Sequence, residues 1–371
     1  MSFLLFILLI SFYIFLIIIN YKIFIDNKKA LILTIVTAAL STFMLFSSNM
    51  ADLNWSITKL DLSGYRNIYE KCDVLEHPDF KMYYIFYGSM YLGQSLGLSY
   101  RMWWTIMSIL AMSVIFIACK IHKYSYNLFL ATFMAYYEMI FYSGFKFFYG
   151  FCFLLLAYGF LLRNTRIGQL TFVLFTIVAS GFHVMYYLFL LFLIKPLRRP
   201  KLIVITVVIL SGMLVFLSRV NGSALIFLGP LLAESNNDHL ANINNIAIVN
   251  YGFYLVLIYH LFVVYIAYNI KIYSEQKRRG SASVDAFYYT VLISLIFCPL
   301  YTIMLVFMRY ITAFSFVVIT AGSSLLNNNR KSRQYCLKMS IYLVISSYIL
   351  RFMMGISGWF KAYVVPYFDV F

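Results

Sequence analysis

Two cations stand where a chain of this kind normally has none. Lys146 lies between two apolar stretches, and Arg309 interrupts a run that is otherwise apolar from Ala286 to Leu326. Ionisable groups at a membrane border cost free energy and are usually kept for a purpose. An arginine fork matches two phosphate oxygens at once, whereas a lysine ammonium acts as a point charge. Arg101, Arg219, Arg351 and His183 fall on the same rim once a topology is assigned, and a cationic rim points to an anionic ligand. Each group also has a plainer reading. Lys146 can snorkel from a helix end, Arg219 and Arg351 can anchor outward-going helices, and a lone membrane histidine is often just hydrogen-bonded to a neighbour. Glu138, the only acid inside an apolar span, needs a cationic partner, and Lys146 and Arg309 are the obvious ones. Asp61 sits in a polar loop, where acids are usually inert.

These side chains must be carried by membrane helices. Of 371 residues, 63% are hydrophobic and 11% charged, against roughly 45–50% and about 25% in soluble domains. Apolar runs recur from end to end, so the fold expected is all-α: one polytopic transmembrane domain over 1–371 with about twelve helices. The spans fall near 2–20, 30–49, 103–120, 127–143, 147–162, 168–182, 184–195, 202–219, 253–271, 286–306, 310–326 and 337–354. The pair at 168–182 and 184–195 is short and nearly continuous: two tilted helices or one long kinked helix, with Gly181 at the expected break. The Phe3–Ile19 run has no basic residue ahead of it and no small-x-small site, so it reads as a retained first helix. The many tyrosines and phenylalanines are expected to be mostly lipid-facing bulk and interface belt.

Basic loops on the cytoplasmic side set the orientation. With the N-terminus outside, the inner loops hold nineteen Lys and Arg and three acids, which accounts for the whole formal charge of +16. That charge reflects loop sorting at an anionic leaflet and implies no nucleic-acid partner. Two long outer loops result, 50–102 and 220–252. In the first, Asp61, Tyr65 and Tyr69 recur every four residues, so a helix places them on one face. Pro78 breaks the chain, and 82–97 is long enough for a helix lying in the interface, with a thirteenth span as the alternative. The second is Asn-rich and reads as irregular. Only Cys72 falls in an outer loop, so no intramolecular disulfide is expected there.

Absences narrow the chemistry. The chain has no Asp-x-Asp, Walker loop, Gly-rich dinucleotide fingerprint, His-Glu-x-x-His or zinc spacing. No metal or other cofactor is expected. An outward-facing site has no nucleotide supply, so its substrate must arrive activated, and a lipid-linked pyrophosphate fits a cationic rim.

Three pieces of the chain resemble the O-antigen and exopolysaccharide repeat-unit polymerases, Wzy-type and close to the EpsG-like branch. The first is Asp61-x3-Tyr65-x3-Tyr69 followed by His-Pro-Asp-Phe at 77–80, similar to that family's acid-Pro-Gly-aromatic step. The second is a cation at the mouth of a span, a helix, a basic turn at Arg163 and Arg166, then Ala179-Ser-Gly-Phe-His183. The third is Met308-Arg309-Tyr310. The chain departs from the family in having Lys146-Phe147 where Arg-Gln is usual, and Asp79 in place of the glycine.

The resemblance implies a membrane glycosyltransferase of the bacterial inner membrane with an outward-facing site. It would move a growing glycan from undecaprenyl pyrophosphate onto the terminal sugar of a new lipid-linked oligosaccharide. Arg309 and Lys146, with Arg219, Arg351 or Arg101, would hold the pyrophosphate; His183, Glu138 or Asp61 would take the acceptor's proton. A chain-length regulator is a conceivable partner. The rival readings are a lipid-linked oligosaccharide flippase, which needs a cationic cavity at mid-membrane, and an O-antigen ligase or lipid-phosphate-sugar transferase.

Overall fold

The computed structural model describes residues 61–71, 73–124, 145–194, 252–275, 282–298, 300–303 and 308–326, with isolated positions in 202–213 and 334–349. The regular elements among the described residues are all helical, without a strand. In chain order they form α1 (Asp61–Lys71), a 3₁₀ turn (Val74–Glu76), α2 (Tyr84–Ser95), α3 (Tyr100–His122), α4 (Phe145–Leu161) and α5 (Arg166–Phe182). A 3₁₀ helix (Val184–Leu193) follows, then α6 (Gly252–Glu275), α7 (Ala282–Ile293) with a 3₁₀ turn (Ser294–Phe297), α8 (Leu300–Ile303) and α9 (Met308–Leu325).

Two of these helices are long and apolar enough to cross a membrane, Tyr100–His122 and Tyr254–Ser274. They coincide with predicted spans at 103–120 and 253–271. Shorter apolar helices occupy 146–161, 166–182, 184–193, 282–297 and 310–325. The predicted spans at 2–20, 30–49 and 127–143 lie outside the described residues, as do residues 220–251 of the second loop. Cys119, Cys152 and Cys298 are free and buried.

Local chemistry explains several boundaries. Ser99 caps α3 by accepting from the Met102 N–H at 3.3 Å, and Thr165 caps α5 by accepting from Gly168 at 3.0 Å. Lys123 closes α3 in the left-handed region at φ 56°, and Asn164 turns the chain between α4 and α5 at φ 52°. The break after α5 falls at His183, two residues beyond the expected Gly181. His183 adopts an extended φ of −150° and ψ of 111°, while Gly181 stays helical. The predicted span at 286–306 is helical where it is described, but its regular helix stops at Ile293. It gives way to a 3₁₀ turn at Ser294–Phe297, next to Pro299, whose ring cannot donate to a helical ladder.

α3 and α4 run parallel, and α5 returns antiparallel to both. Phe86 packs on Trp103 and Tyr149 at one end of this layer. At the other end the His122 ring hydrogen-bonds the Leu156 carbonyl at 2.9 Å. α6 and α9 run alike, since Ser274 near the end of α6 donates to the Leu325 carbonyl at 3.2 Å. The basic residues Lys120, Lys123, Arg163, Arg166 and Lys271 therefore lie at the end opposite Lys146. Exposed Leu, Ile and Tyr faces remain on α3, α5 and α6, as expected of helices meeting lipid.

Among the described residues, the expectation that the aromatics mostly face lipid does not hold. Tyr65, Tyr69, Phe86, Tyr100, Trp103, Tyr149, Tyr186 and Tyr310 are all buried in one continuous core. Phe189, Phe192, Phe297 and Phe314 interlock across the bundle at centroid distances of 5.1 to 6.1 Å. Such edge and tilted ring pairs are worth about 0.5–1.5 kcal/mol each beyond area burial. Polar ties cross the same core. His260, fully buried, shares hydrogen bonds with the Tyr301 hydroxyl at 2.9 Å and the Ser294 hydroxyl at 2.8 Å, joining α6 to the α7–α8 segment. Tyr158 and Thr290 share one at 2.6 Å. Hydroxyls and imidazoles are the usual interhelical hydrogen-bonding groups where water is absent.

The predicted α1 face is present. Tyr65 and Tyr69 are buried against α2 and α3. Tyr69 donates to the Leu98 carbonyl at 2.8 Å, and the Gln94 amide donates to the Tyr69 carbonyl at 2.6 Å. Gly93 permits this approach, because a Cβ there would lie 2.7 Å from both the Tyr69 hydroxyl and the Trp103 ring. Tyr69→Phe is expected to lower stability by about 1 kcal/mol, since it strands the Leu98 carbonyl. Thermal unfolding in detergent reads this; an unchanged midpoint would mean that the bond contributes nothing.

Candidate functional site

Lys146 sits in the first turn of α4, half-buried. Its Nζ lies 3.9 Å from the centroid of Tyr83, 5.1 Å from Tyr65, 5.4 Å from Tyr87 and 5.8 Å from Phe86. The ring faces come from α1, from the residue ahead of α2 and from α2 itself. Ring quadrupoles attract a cation by about 0.5–1 kcal/mol at exposed sites and about 2 kcal/mol when desolvated. The box thus holds the ammonium in one place at the rim of the bundle.

His183 stands next to that box. Its ring lies 5.5 Å from Tyr83, 5.4 Å from Phe147 and 6.2 Å from Tyr186, so Tyr83 is shared between imidazole and ammonium. The junction is held by backbone as well as by rings. The His183 N–H donates to the Ala179 carbonyl at 3.1 Å, and its own carbonyl accepts from Tyr186 at 2.9 Å. The Tyr186 hydroxyl donates to the Phe147 carbonyl at 2.7 Å and its ring stacks on Phe147 at 5.2 Å. This pins the start of the 3₁₀ helix to the first turn of α4.

Arg309 occupies the first turn of α9, at this same end. The adjacent Tyr310 is buried 6.3 Å from Phe147 and 6.0 Å from Phe189. Arg101 lies exposed in the first turn of α3, beside Tyr100, which packs on Tyr69 at 5.6 Å. Asp61 is the first residue of α1. Glu138, Arg219 and Arg351 lie outside the described residues. Of the candidates, the structure draws together Lys146, His183 and the turn carrying Arg309, with the first turns of α1 and α3 at the same end.

One residue at the site had no role assigned from sequence. His77, in the turn between the 3₁₀ turn and α2, stacks on Tyr87 at 4.6 Å. Burial pushes its pKa below the ordinary imidazole value; Asp79 opposes that shift and the Lys146 charge adds to it. The signal was in view, since His77 begins the His-Pro-Asp-Phe step. The sequence alone does not show that Tyr87 lies against both the His77 ring and the Lys146 ammonium.

A cavity of about 640 Å³ is found elsewhere in the described bundle. It lies at the opposite end among Leu161, Asn164, Gln169, Phe192 and Asp285. Its charged lining residue among those described, Asp285, pairs with Lys271 at 3.0 Å.

A family model matches residues 45–368 of the chain, that of the EpsG family. The chain belongs to the EpsG family. The match runs through α1, the Lys146 box, His183 and α9, so every residue of the site lies inside it. Membership agrees with a helical membrane protein and points to a polysaccharide-polymerase type of function. No curated protein and no solved structure matches this EpsG-family chain.

Proposed function

We propose that the protein polymerises polysaccharide repeat units on the outer face of a bacterial cytoplasmic membrane. The donor is a glycan on undecaprenyl pyrophosphate, and the acceptor is the terminal sugar of a new lipid-linked unit. The acceptor hydroxyl attacks the anomeric carbon of the donor. A C–O bond forms, the bond to the pyrophosphate oxygen breaks, and the lipid pyrophosphate leaves with the electron pair. The proton of the attacking hydroxyl passes to His183, Glu138 or Asp61; general base catalysis of this kind is worth roughly 10²–10⁴-fold.

The observation that carries this reading is the ammonium of Lys146, boxed by four rings beside His183, at the end to which α9 brings Arg309. Fixed positive charge placed where negative charge develops on a leaving group stabilises the transition state without reorganisation. Arg101, Arg219 and Arg351 extend the cationic rim. The basic turns at the opposite end suit the cytoplasmic side, which turns the site outward, where activated lipid-linked substrates are found. The box sits at one end of the bundle and not halfway along it, which favours transfer chemistry over a flippase.

The test is the polysaccharide of a strain lacking the gene. The expected result is loss of long chains with single repeat units still displayed outside. Repeat units trapped inside would support a flippase, and an unchanged length profile would remove the protein from polymerisation.

A further inference from the structure

His77 has a tautomer fixed by its own loop. The Asp79 backbone N–H donates to His77 Nδ1 at 3.2 Å. A backbone amide can only donate, so Nδ1 presents its lone pair, and the proton of the neutral ring is on Nε2. Nε2 makes no hydrogen bond among the described residues, and the ring is only half-buried. The stack on Tyr87 fixes the ring plane, and Tyr87 also lies 5.4 Å from the Lys146 ammonium. A fixed N–H donor therefore stands beside the boxed cation.

We propose that His77 is a further ligand-binding residue of this site, a neutral imidazole offering Nε2–H to the phosphate oxygens of the anionic ligand that Lys146 attracts. The inference rests on the proposed function and assigns His77 as a donor, not as the base. A base would need its free lone pair toward the acceptor, and the Asp79 amide occupies that lone pair. Among the described residues, the charged or titratable groups facing the ring are Asp79 from its own loop, Tyr87 from α2 and Lys146 from α4. Burial and the Lys146 charge together disfavour the imidazolium and outweigh Asp79, so the neutral donor persists at ordinary pH.

Binding of undecaprenyl pyrophosphate to the full-length protein in nanodiscs tests this. His77→Gln places an amide N–H near the ε position, whereas His77→Asn supplies only an acceptor near the δ position for the Asp79 amide. A donor role predicts that H77N binds roughly ten-fold or more weakly, as expected for one lost hydrogen bond to a charged group, and that H77Q stays within about three-fold of wild type. A purely structural loop role predicts the reverse ranking and would overturn the proposal. Wild-type affinity should also stay flat from about pH 8 to about pH 6.5, the ordinary imidazole midpoint; a sharp gain on acidification in that window means imidazolium binding and overturns it too. Wild type that does not bind the probe at all defeats the proposed function itself, whereas normal binding by both variants defeats only the role of His77.

Discussion

Lys146→Met is expected to reduce polymerisation by about 10²–10³-fold, the range seen when one donor to a developing anion is removed. Methionine keeps most of the stem length and can pack against Tyr83 and Tyr65, so the α1–α2–α4 contacts survive while the charge goes. The four rings around Nζ lie at 3.9 to 5.8 Å, close enough to hold a cation in place before substrate arrives. Pre-placement is what lets a single charge act strongly, because nothing has to move as the leaving group develops its charge. The measurements are chain-length distribution in cells and turnover of lipid-linked repeats by purified protein, at matched expression. Long chains at the normal level in the K146M strain would mean that the charge plays no part in the reaction.

Gly150→Leu is expected to be the most damaging change to the fold among the glycines of α4. A Cβ at Gly150 would lie 2.3 and 2.6 Å from two carbons of the Tyr186 ring and 2.8 Å from the Ala179 carbonyl oxygen. Neither neighbour yields easily. The carbonyl is backbone, and Tyr186 is fixed by its hydrogen bond to Phe147 and by its stack on that ring. Even Gly150→Ala forces α4 and α5 apart at a cost of about 1–3 kcal/mol, the usual range for overpacking, and leucine should exceed it. Small residues at helix crossings are what permit close packing in a membrane. The same displacement would carry His183 away from Tyr83. Yield and thermal midpoint in detergent read the effect; a G150L protein as stable as wild type would show that α4 and α5 do not approach so closely.

The site was partly legible in the sequence. The four-residue spacing of Asp61, Tyr65 and Tyr69 gave a helix with one face, and Tyr65 and Tyr69 are buried on it. Lys146 and Arg309 stood out because charge is rare in an apolar run, and both begin helices at one end of the bundle. Membership in the EpsG family was legible in three short motifs and agrees with the match over 45–368. Other features were not legible. The kink was expected at Gly181, the residue with the freest backbone, yet it falls at His183, where the extended conformation lets the ring meet Tyr83 and Phe147. Local propensity does not register such a tertiary contact.

By itself the sequence determined the class of molecule, because hydropathy and the sorting of charge are sums over residues and need no coordinates. It also determined which ionisable groups deserved attention, because their cost in an apolar run is a one-residue quantity. Only the tertiary structure decided which of the many tyrosines enclose Lys146 and that His77 stands beside that enclosure. It also showed that most of the large aromatics among the described residues form the core. In a membrane chain both lipid-facing and buried positions are apolar, so the alternation that separates inside from outside in a soluble protein is largely erased. The assignment then rests on how helices from distant parts of the chain pack together.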